Sequence, residues 1–356
     1  MDLVVDGDPV ALALRTHEDV GGHIVPLDRE RGVVRLVFDE GVALDLAPLR
    51  GGSLEADLAL RDFTVDAIAL PPPGAGGGAI DPYGGIDDIR RLRLRAVAKS
   101  IFADDGVRLL RAARIAADFG LAPDGALVAA ARTDAAHIVD ASAERRRDEL
   151  VRLLATDHAA LGLRMLDQFA VLDSLAPELA ATRGVAQPKE HYYDVFDHCI
   201  ETVAALDVLL SSLVPAGRAA EAMRSDFLDR LSLAMDVRRY IDSEPVEGHP
   251  IRALTKLGGL LHDIAKPQTK TVDATGRMRF FGHADEGAER AAHFLRELRF
   301  SKRETEFVRL LVAEHLRPTQ LRSGEGPPTD RAINRFFRDT GDASIAILVL
   351  SLADHM

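Results

Sequence analysis

The stretch VVRLVFDEGVALDLA, residues 33–47, sets two β-prone runs, 33–38 and 42–47, on either side of Asp39-Glu40-Gly41. Such runs around a short glycine-bearing turn read as an antiparallel hairpin. In the second run Val42, Leu44 and Leu46 share one face, so Asp45 falls on the other with the small residues Ala43 and Ala47. Upstream, Leu3-Val4-Val5 is a third strand-like run, bracketed by Asp2, Asp6 and Asp8. Asp2 and Asp45 on adjacent strands can converge on a hard cation such as Mg²⁺, which takes oxygen ligands and leaves positions for phosphate oxygens. From spacing alone, the plainer reading of Asp45 is a solvated residue on the open face of a half-buried sheet.

Outward from this hairpin, the first seventy residues read as strands followed by a helix. Residues 71–78, PPPGAGGG, form a loop or hinge by composition. From Asp88 nearly to the end the pattern is helical, rich in Ala, Leu and Arg. The expected class is therefore α+β, with a small partly antiparallel sheet at the N-terminus followed by a long all-α body. Residues 183–188, 213–218 and 322–328 read as connections, and no repeat of solenoid period is present.

With 356 residues, 47% hydrophobic and 28% charged, the chain has material for two or three cores and is too polar for a membrane protein. No apolar run approaches a bilayer span and no export signal stands at the start, so the expected location is the cytosol. The single cysteine, Cys199, excludes an internal disulfide framework and a thiolate zinc cluster. A net charge of −12 argues against a nucleic-acid partner for the chain as a whole. The charge is uneven, however. Residues 90–114 hold Arg90, Arg91, Arg93, Arg95, Lys99, Arg108, Arg111 and Arg114 against Asp104 and Asp105, a patch suited to an anionic partner.

Within that patch Asp104 or Asp105 can cap a helix beginning near Gly106, after which Arg108, Arg111 and Arg114 recur at spacing three. A carboxylate acceptor beside a bidentate donor suits a base edge that shows donor and acceptor together; an N-cap followed by a solvated arginine face is the alternative. The C-terminal half carries an ordered series of ligand-type residues: His198, the adjacent His262-Asp263, His283, His315 and Asp354. Mixed imidazole and carboxylate ligands suit Mn, Fe, Ni, Co or Zn. A lone histidine on an apolar helix is ordinarily a satisfied polar group, which does not explain six such residues in series. His191, Tyr192 and Tyr193 read as an RNA-stacking edge or a helix entry.

Residues 53–70 (SLEADLALRDFTVDAIAL), 81–88 (DPYGGIDD) and 102–120 (FADDGVRLLRAARIAADFG) resemble, in this order and on through Glu144-Arg145, the bacterial tRNA nucleotidyltransferase and poly(A) polymerase family. The resemblance implies a nucleotidyltransferase in which two Mg²⁺ ions align an RNA 3′-hydroxyl with the α-phosphate of ATP or CTP. Leu3 to Asp8 match the stretch that follows the family's Asp-x-Asp, which puts Asp2 on its second aspartate and implies a chain that starts in mid-motif, by a misplaced start codon or by truncation. Asp45 matches the third metal carboxylate. Arg61-Asp62 match the pair that holds the nucleotide sugar, although Leu60 stands where the family has a second arginine. Asp105 and Arg108 match its base reader, and the 90–114 patch, with Arg111 and Arg114, and the 145–147 arginine run would face phosphate groups.

Residues 261–267, LHDIAKP, resemble the signature of the HD-type metal phosphohydrolase domain. That resemblance implies one divalent transition metal, such as Mn²⁺, Ni²⁺ or Zn²⁺, on His198, His262, Asp263 and Asp354. His283 and His315 would serve a second, and Lys266 would offset substrate charge. The organisation expected is a partial nucleotidyltransferase domain at 1–70, a helical neck with base- and RNA-binding elements at 71–182, and an HD-type helical domain at 183–356. The expected partners are the 3′ end of tRNA or another RNA together with ATP or CTP, without a stable protein partner. Two rivals remain: an HD phosphohydrolase acting on 2′,3′-cyclic phosphates or phosphomonoesters with a degenerate RNA-binding N-terminal half, and a non-catalytic RNA-binding protein whose HD fold is only a scaffold.

Overall fold

The hairpin at 33–47 forms as expected, with β3 (Val33–Val37) antiparallel to β4 (Ala43–Pro48) and Gly41 in the left-handed region at the turn. The computed structural model describes residues 2–39, 41–72, 74–187, 193–212, 234–243, 248–275, 277–321 and 326–356. Glu40, His191, Tyr192 and the 213–218 connection lie outside the described residues, as do positions 322–325 of the last connection. The chain divides into two compact units, residues 1–91 with 95–98, and residues 92–94 with 99–356.

In the first unit β1 (Asp2–Val5) and β2 (His23–Asp28) complete a four-stranded sheet of order β1-β4-β3-β2, with β1 parallel to β4 and the other neighbours antiparallel. Helix α1 (Pro9–Val20) stands between β1 and β2, where the sequence reading has no helix. Its start has a local cause: the Asp8 carboxylate accepts from the amides of Val10 and Ala11, and Pro9 occupies the first helical position, where its missing N–H costs nothing. Ala13 of α1 packs on Val34, Leu36 and Leu46, with Leu3, Val5 and Leu44 around them. One face of the sheet is thereby buried, and Asp2, Arg35 and Asp45 share the other.

Among the described residues the second unit is helical apart from two small two-stranded pieces, Arg93–Leu94 with Ala122–Pro123 and β5 (Lys270–Val272) with β6 (Met278–Phe280), which the all-α expectation omitted. Its main helices are α2 (Arg108–Phe119), α3 (Ala143–Ala155), α4 (Ala159–Gln168), α5 (Val195–Ser212), α6 (Ile251–Leu261), α7 (His283–Glu297), α8 (Lys302–Glu314) and α9 (Ser344–Asp354). Every residue of α6 is buried, so it forms the centre of the bundle. Gly258 and Gly259 permit this: a Cβ at either would stand 2.8 Å from a Leu311 or Leu206 methyl carbon respectively. Among the described residues no helix is long and apolar enough to cross a membrane.

A helix buried on all sides must find partners for its polar groups. Lys256, 0% exposed, sets its Nζ 2.6 Å from Asp207 Oδ1 on α5 and donates to the Thr156 carbonyl at 2.6 Å, while Asp207 Oδ2 accepts from the Ala160 amide. Burial dominates both groups, lowering the Lys256 amine and raising the Asp207 carboxyl against their mutual attraction. Lys256→Ala strands a buried carboxylate and is expected to cost about 3–5 kcal/mol in denaturant unfolding, whereas replacing both partners by Met and Leu recovers most of it. Equal losses in the single and double variants would contradict this account.

Helix α8 opens on a capping box in which the Ser301 hydroxyl accepts from the Glu304 amide and the Glu304 carboxylate accepts from the Ser301 amide. Burial raises the Glu304 carboxyl, but hydrogen bonds from His249 and Ser301 outweigh it and leave the group below its usual range. A carboxyl depressed in the folded state stabilises fully above its unfolded value and loses that contribution as pH falls through the folded value. Glu304→Gln is therefore expected to shrink the drop in melting temperature between neutral and acid pH, below the ordinary glutamate range, and an unchanged acid limb would refute this.

Candidate active site and metal centre

On the open face of the sheet, the parallel register sets Asp2 directly opposite Asp45, and the antiparallel register sets Arg35 opposite Asp45 from the other side. Arg35 binds Asp45 as a fork, Nε to Oδ1 at 2.6 Å and one terminal nitrogen to Oδ2 at 2.7 Å. The Arg35 hydrogen bond holds the Asp45 carboxyl below its usual range, against a smaller effect of burial. Arg35 is thus a member of this face that the sequence reading missed, although counting back from the turn places it across from Asp45. Further along, Ser53 caps a short helix, Leu54–Leu58, that buries Asp57. Asp57 accepts from Arg50 Nε at 2.9 Å and from an Arg61 terminal nitrogen at 2.9 Å, so Arg61 is held by a carboxylate four residues back. Asp62 is buried, and its carbonyl accepts from the Val97 amide.

In the second unit Asp105 separates the short helix Ile101–Asp104 from α2. A Cβ on Gly106 would lie 1.9 Å from the His137 carbonyl oxygen, so only glycine lets this turn approach that backbone. Arg145 of α3 clamps the Asp105 carboxylate at 3.1 and 2.5 Å. Burial raises the Asp105 carboxyl, and the Arg145 hydrogen bonds outweigh it, leaving it below its usual range. Arg108 donates to the Ile101 carbonyl at 3.2 Å. Arg111 and Arg114 both reach the buried Glu149 of α3, at 3.4 and 2.8 Å. Glu149 and Arg145 are the partners the sequence reading lacked. They stand some forty residues away, and no local pattern marks them.

The six residues read as a series do meet. His198 from α5, His262 and Asp263 just after α6, His283 at the start of α7, His315 just after α8 and Asp354 at the end of α9 form one cluster, in which His198, His262, Asp263 and His315 are buried and His283 and Asp354 half-buried. His198 Nε2 lies 2.8 Å from Asp354 Oδ1 and 3.5 Å from Asp263 Oδ2. His262 Nε2 lies 3.1 Å from Asp263 Oδ2 and 3.2 Å from Asp354 Oδ1, and His283 Nε2 lies 3.4 Å from Asp263 Oδ1. The rings of His262 and His315 are 5.0 Å apart, and those of His283 and His315 are 5.5 Å apart. Lys266 Nζ sits 2.5 Å from Asp263 Oδ2 and donates to Gln187 Oε1 at 2.6 Å.

Backbone geometry decides which nitrogen faces inward. Nδ1 of His262, His283 and His315 each lies 2.7–2.8 Å from the carbonyl three residues earlier, Gly259, Phe280 and Val312. A carbonyl only accepts, so each Nδ1 carries a proton and each Nε2 is the atom turned to the centre, a ligand atom whenever it is unprotonated. Nε2 of His315 and Asp263 Oδ1 are buried without a hydrogen bond. Burial lowers the His262 imidazole, but Asp263 and Asp354 outweigh it and raise it well above its ordinary value. His315 is pushed down to about 4, first by burial and then by His262. Two carboxylates aimed at one buried spot draw positive charge there. Two triads, His198-His262-Asp354 and His262-Asp263-His315, each bring one donor atom per residue within 4.8 Å of the others. This donor set fits a divalent transition metal.

A nucleotidyltransferase-type sheet unit and a helical unit carrying an HD-type cluster of histidines and aspartates are the class this fold defines. Two family models match the chain, one described as "Probable RNA and SrmB- binding site of polymerase A" at residues 120–182 and the HD domain at residues 231–356. His198 lies ahead of the HD match, yet the fold brings it to Asp354. The chain belongs to the tRNA nucleotidyltransferase family. It is 33% identical to a CC-adding tRNA nucleotidyltransferase of Thermus thermophilus and 34% identical to an A-adding tRNA nucleotidyltransferase of Deinococcus radiodurans, in both cases over 98% of this chain and 70% of the relative. Among solved structures, a tRNA-processing enzyme with CTP matches with TM-score 0.65 and 19% identity, over 98% of this chain and 79% of that one. A tRNA nucleotidyltransferase complexed with a primer tRNA and an incoming ATP analog matches with TM-score 0.61 and 18% identity, over 98% and 84%. These two likenesses establish a shared fold.

Proposed function

We propose that this chain adds C or A to the 3′ end of tRNA, with Mg²⁺ held by Asp2 and Asp45. The observation that carries the reading is the register that sets these two carboxylates opposite each other on the open sheet face. Similarity to CC-adding and A-adding relatives over nearly the whole chain supports the same chemistry. A cation bound there supplies charge neutralisation on the triphosphate. The 3′-hydroxyl oxygen bonds to the α-phosphorus, the bond from that phosphorus to the β-phosphate oxygen breaks, and pyrophosphate leaves. Arg61 and Asp62 hold the nucleotide sugar. Asp105 and Arg108 read the base edge, the first kept ionised by Arg145, while Arg111 and Arg114 hold α2 against Glu149. Incubating the chain with labelled CTP or ATP and a tRNA transcript lacking its 3′ end should give Mg²⁺-dependent incorporation. Tight tRNA binding without incorporation of either nucleotide would refute the reading.

The convergence of all six HD residues favours a second activity on the same chain, hydrolysis of a 2′,3′-cyclic phosphate or a phosphomonoester. A divalent metal such as Mn²⁺, Ni²⁺ or Zn²⁺ held by His198, His262, Asp263 and Asp354, with His283 and His315 beside it, would supply Lewis-acid stabilisation of phosphoryl charge. Lys266, oriented by Gln187 and Asp263, adds a buried cation beside the cluster.

A further inference from the structure

Away from both sites, the second unit holds a cavity of about 650 Å³ whose lining includes Arg146 from α3, Ser174, and His293, Arg296, Glu297 and Arg299 from the end of α7 and the turn after it. Most arginines near carboxylates in this unit are paired. Among the described residues Arg146, Arg296 and Arg299 make no ion pair and no side-chain hydrogen bond, and Arg146 Nε is buried without a partner. The one carboxylate in the lining, Glu297, stands 3.4 Å from His293. Three unengaged guanidinium groups and an imidazole therefore surround a space of nucleotide size.

A cation in the last turn of a helix gains from the helix dipole, which accounts for Arg296 by itself. It does not account for Arg146, which arrives from another helix and keeps a desolvated donor unused. Nor does it account for Arg299. The end of α7 closes with the Phe300 amide donating to the Leu295 carbonyl, and Arg299 sits within that closure at φ +59°. Glycine is the usual residue there, since any Cβ is strained in that conformation. The Arg299 carbonyl accepts from Arg147 at 2.7 Å, a bond that glycine would preserve. An arginine kept at a strained position, with its side chain at a cationic cavity, points to the side chain's own use.

We propose that this cavity binds a phosphate group, carried either by a free nucleotide or by the backbone of an RNA. Guanidinium forks match phosphate oxygens in pairs, and the half-buried Arg146 meets less competition from water than the exposed Arg296 and Arg299. The inference does not depend on either activity proposed above.

The test uses the full chain with two probes, ADP in metal-free buffer followed by calorimetry and a tRNA transcript followed by filter binding at several salt concentrations. Arg299→Gly should melt at the same or a higher temperature, because glycine suits φ +59°, so any lost binding cannot be assigned to unfolding. Arg299→Gly and Arg146→Gln are each expected to weaken one probe about tenfold. Loss confined to ADP identifies a free nucleotide as the source. Weakened tRNA binding with a shallower salt dependence, by about one unit of slope per contact removed, identifies the RNA backbone. If neither variant changes either probe, including the case where ADP does not bind the parent chain, the proposal is overturned.

Discussion

Asp45→Asn should lower incorporation of labelled CTP or ATP into tRNA by on the order of 10³-fold while leaving tRNA binding within a few-fold of the parent. The substitution keeps the volume and removes the charge. No neighbouring carboxylate replaces it, because the partner across one register is Asp2, already assigned to the same cation, and across the other is Arg35. Stability should barely move. The Arg35 side chain is 44% exposed, so water takes over its donors, and a pair so exposed contributes little to folding. A variant that melts normally, binds tRNA and does not transfer would place the loss in the chemistry. Retention of transfer within a few-fold would remove Asp45 from the site. Arg35→Gln provides the converse. If the fork on Asp45 competes with the cation, releasing it should reduce the Mg²⁺ concentration needed for half-maximal transfer, and an unchanged requirement would show that Arg35 leaves the carboxylate freely.

What could be read from the chain divides by distance along it. The hairpin is a local event, and its three-residue turn already fixes Arg35 across from Asp45; the fork was available by counting. Helix α1 was equally local, announced by Asp8 and Pro9, but the strand-like residues on both sides drew the reading toward sheet. The HD residues were legible because imidazoles and carboxylates carry their chemistry in their type. Their convergence was not, since it depends on α6 packing closely on α5 and α9 at Gly259 and on α8 at Gly258. Arg145 and Glu149 show the opposite case. Arg145 read as part of an arginine run facing phosphate groups and Glu149 carried no mark, and only the packing of α3 on α2 turns them into clamps on Asp105, Arg111 and Arg114. The buried pair Lys256 and Asp207 was hidden for the same reason.

Asp263→Asn is the sharpest probe of the HD centre, because this one carboxylate faces His198, His262, His283 and Lys266 at once. Both its oxygens are buried, with Lys266 Nζ 2.5 Å from Oδ2, and attraction by His262 and Lys266 outweighs the larger single effect of burial to hold it well below the usual carboxylate range. A carboxylate held low in this way favours a cation beside it. The asparagine keeps the shape, removes the charge and points an amide into a pocket whose imidazoles offer lone pairs. The parent chain, loaded in turn with Mn²⁺, Ni²⁺ and Zn²⁺ and then desalted, should carry about one ion or more by mass spectrometry, and the variant close to none. Metal should also stabilise the parent alone, by about 2.7 kcal/mol at a hundredfold excess over its dissociation constant, because binding draws α5, α6 and α9 to one point. The variant should melt below even the chelated parent, because it leaves the buried Lys266 cation without its carboxylate, with tRNA binding the same in both, since a phosphate-tracking surface depends on its own cations. A variant that keeps its metal would dismiss Asp263 as a ligand. A parent that takes up none of the three ions would leave the cluster as a helical scaffold, with Lys266 and the imidazoles meeting the charge of Asp263 and Asp354 unaided.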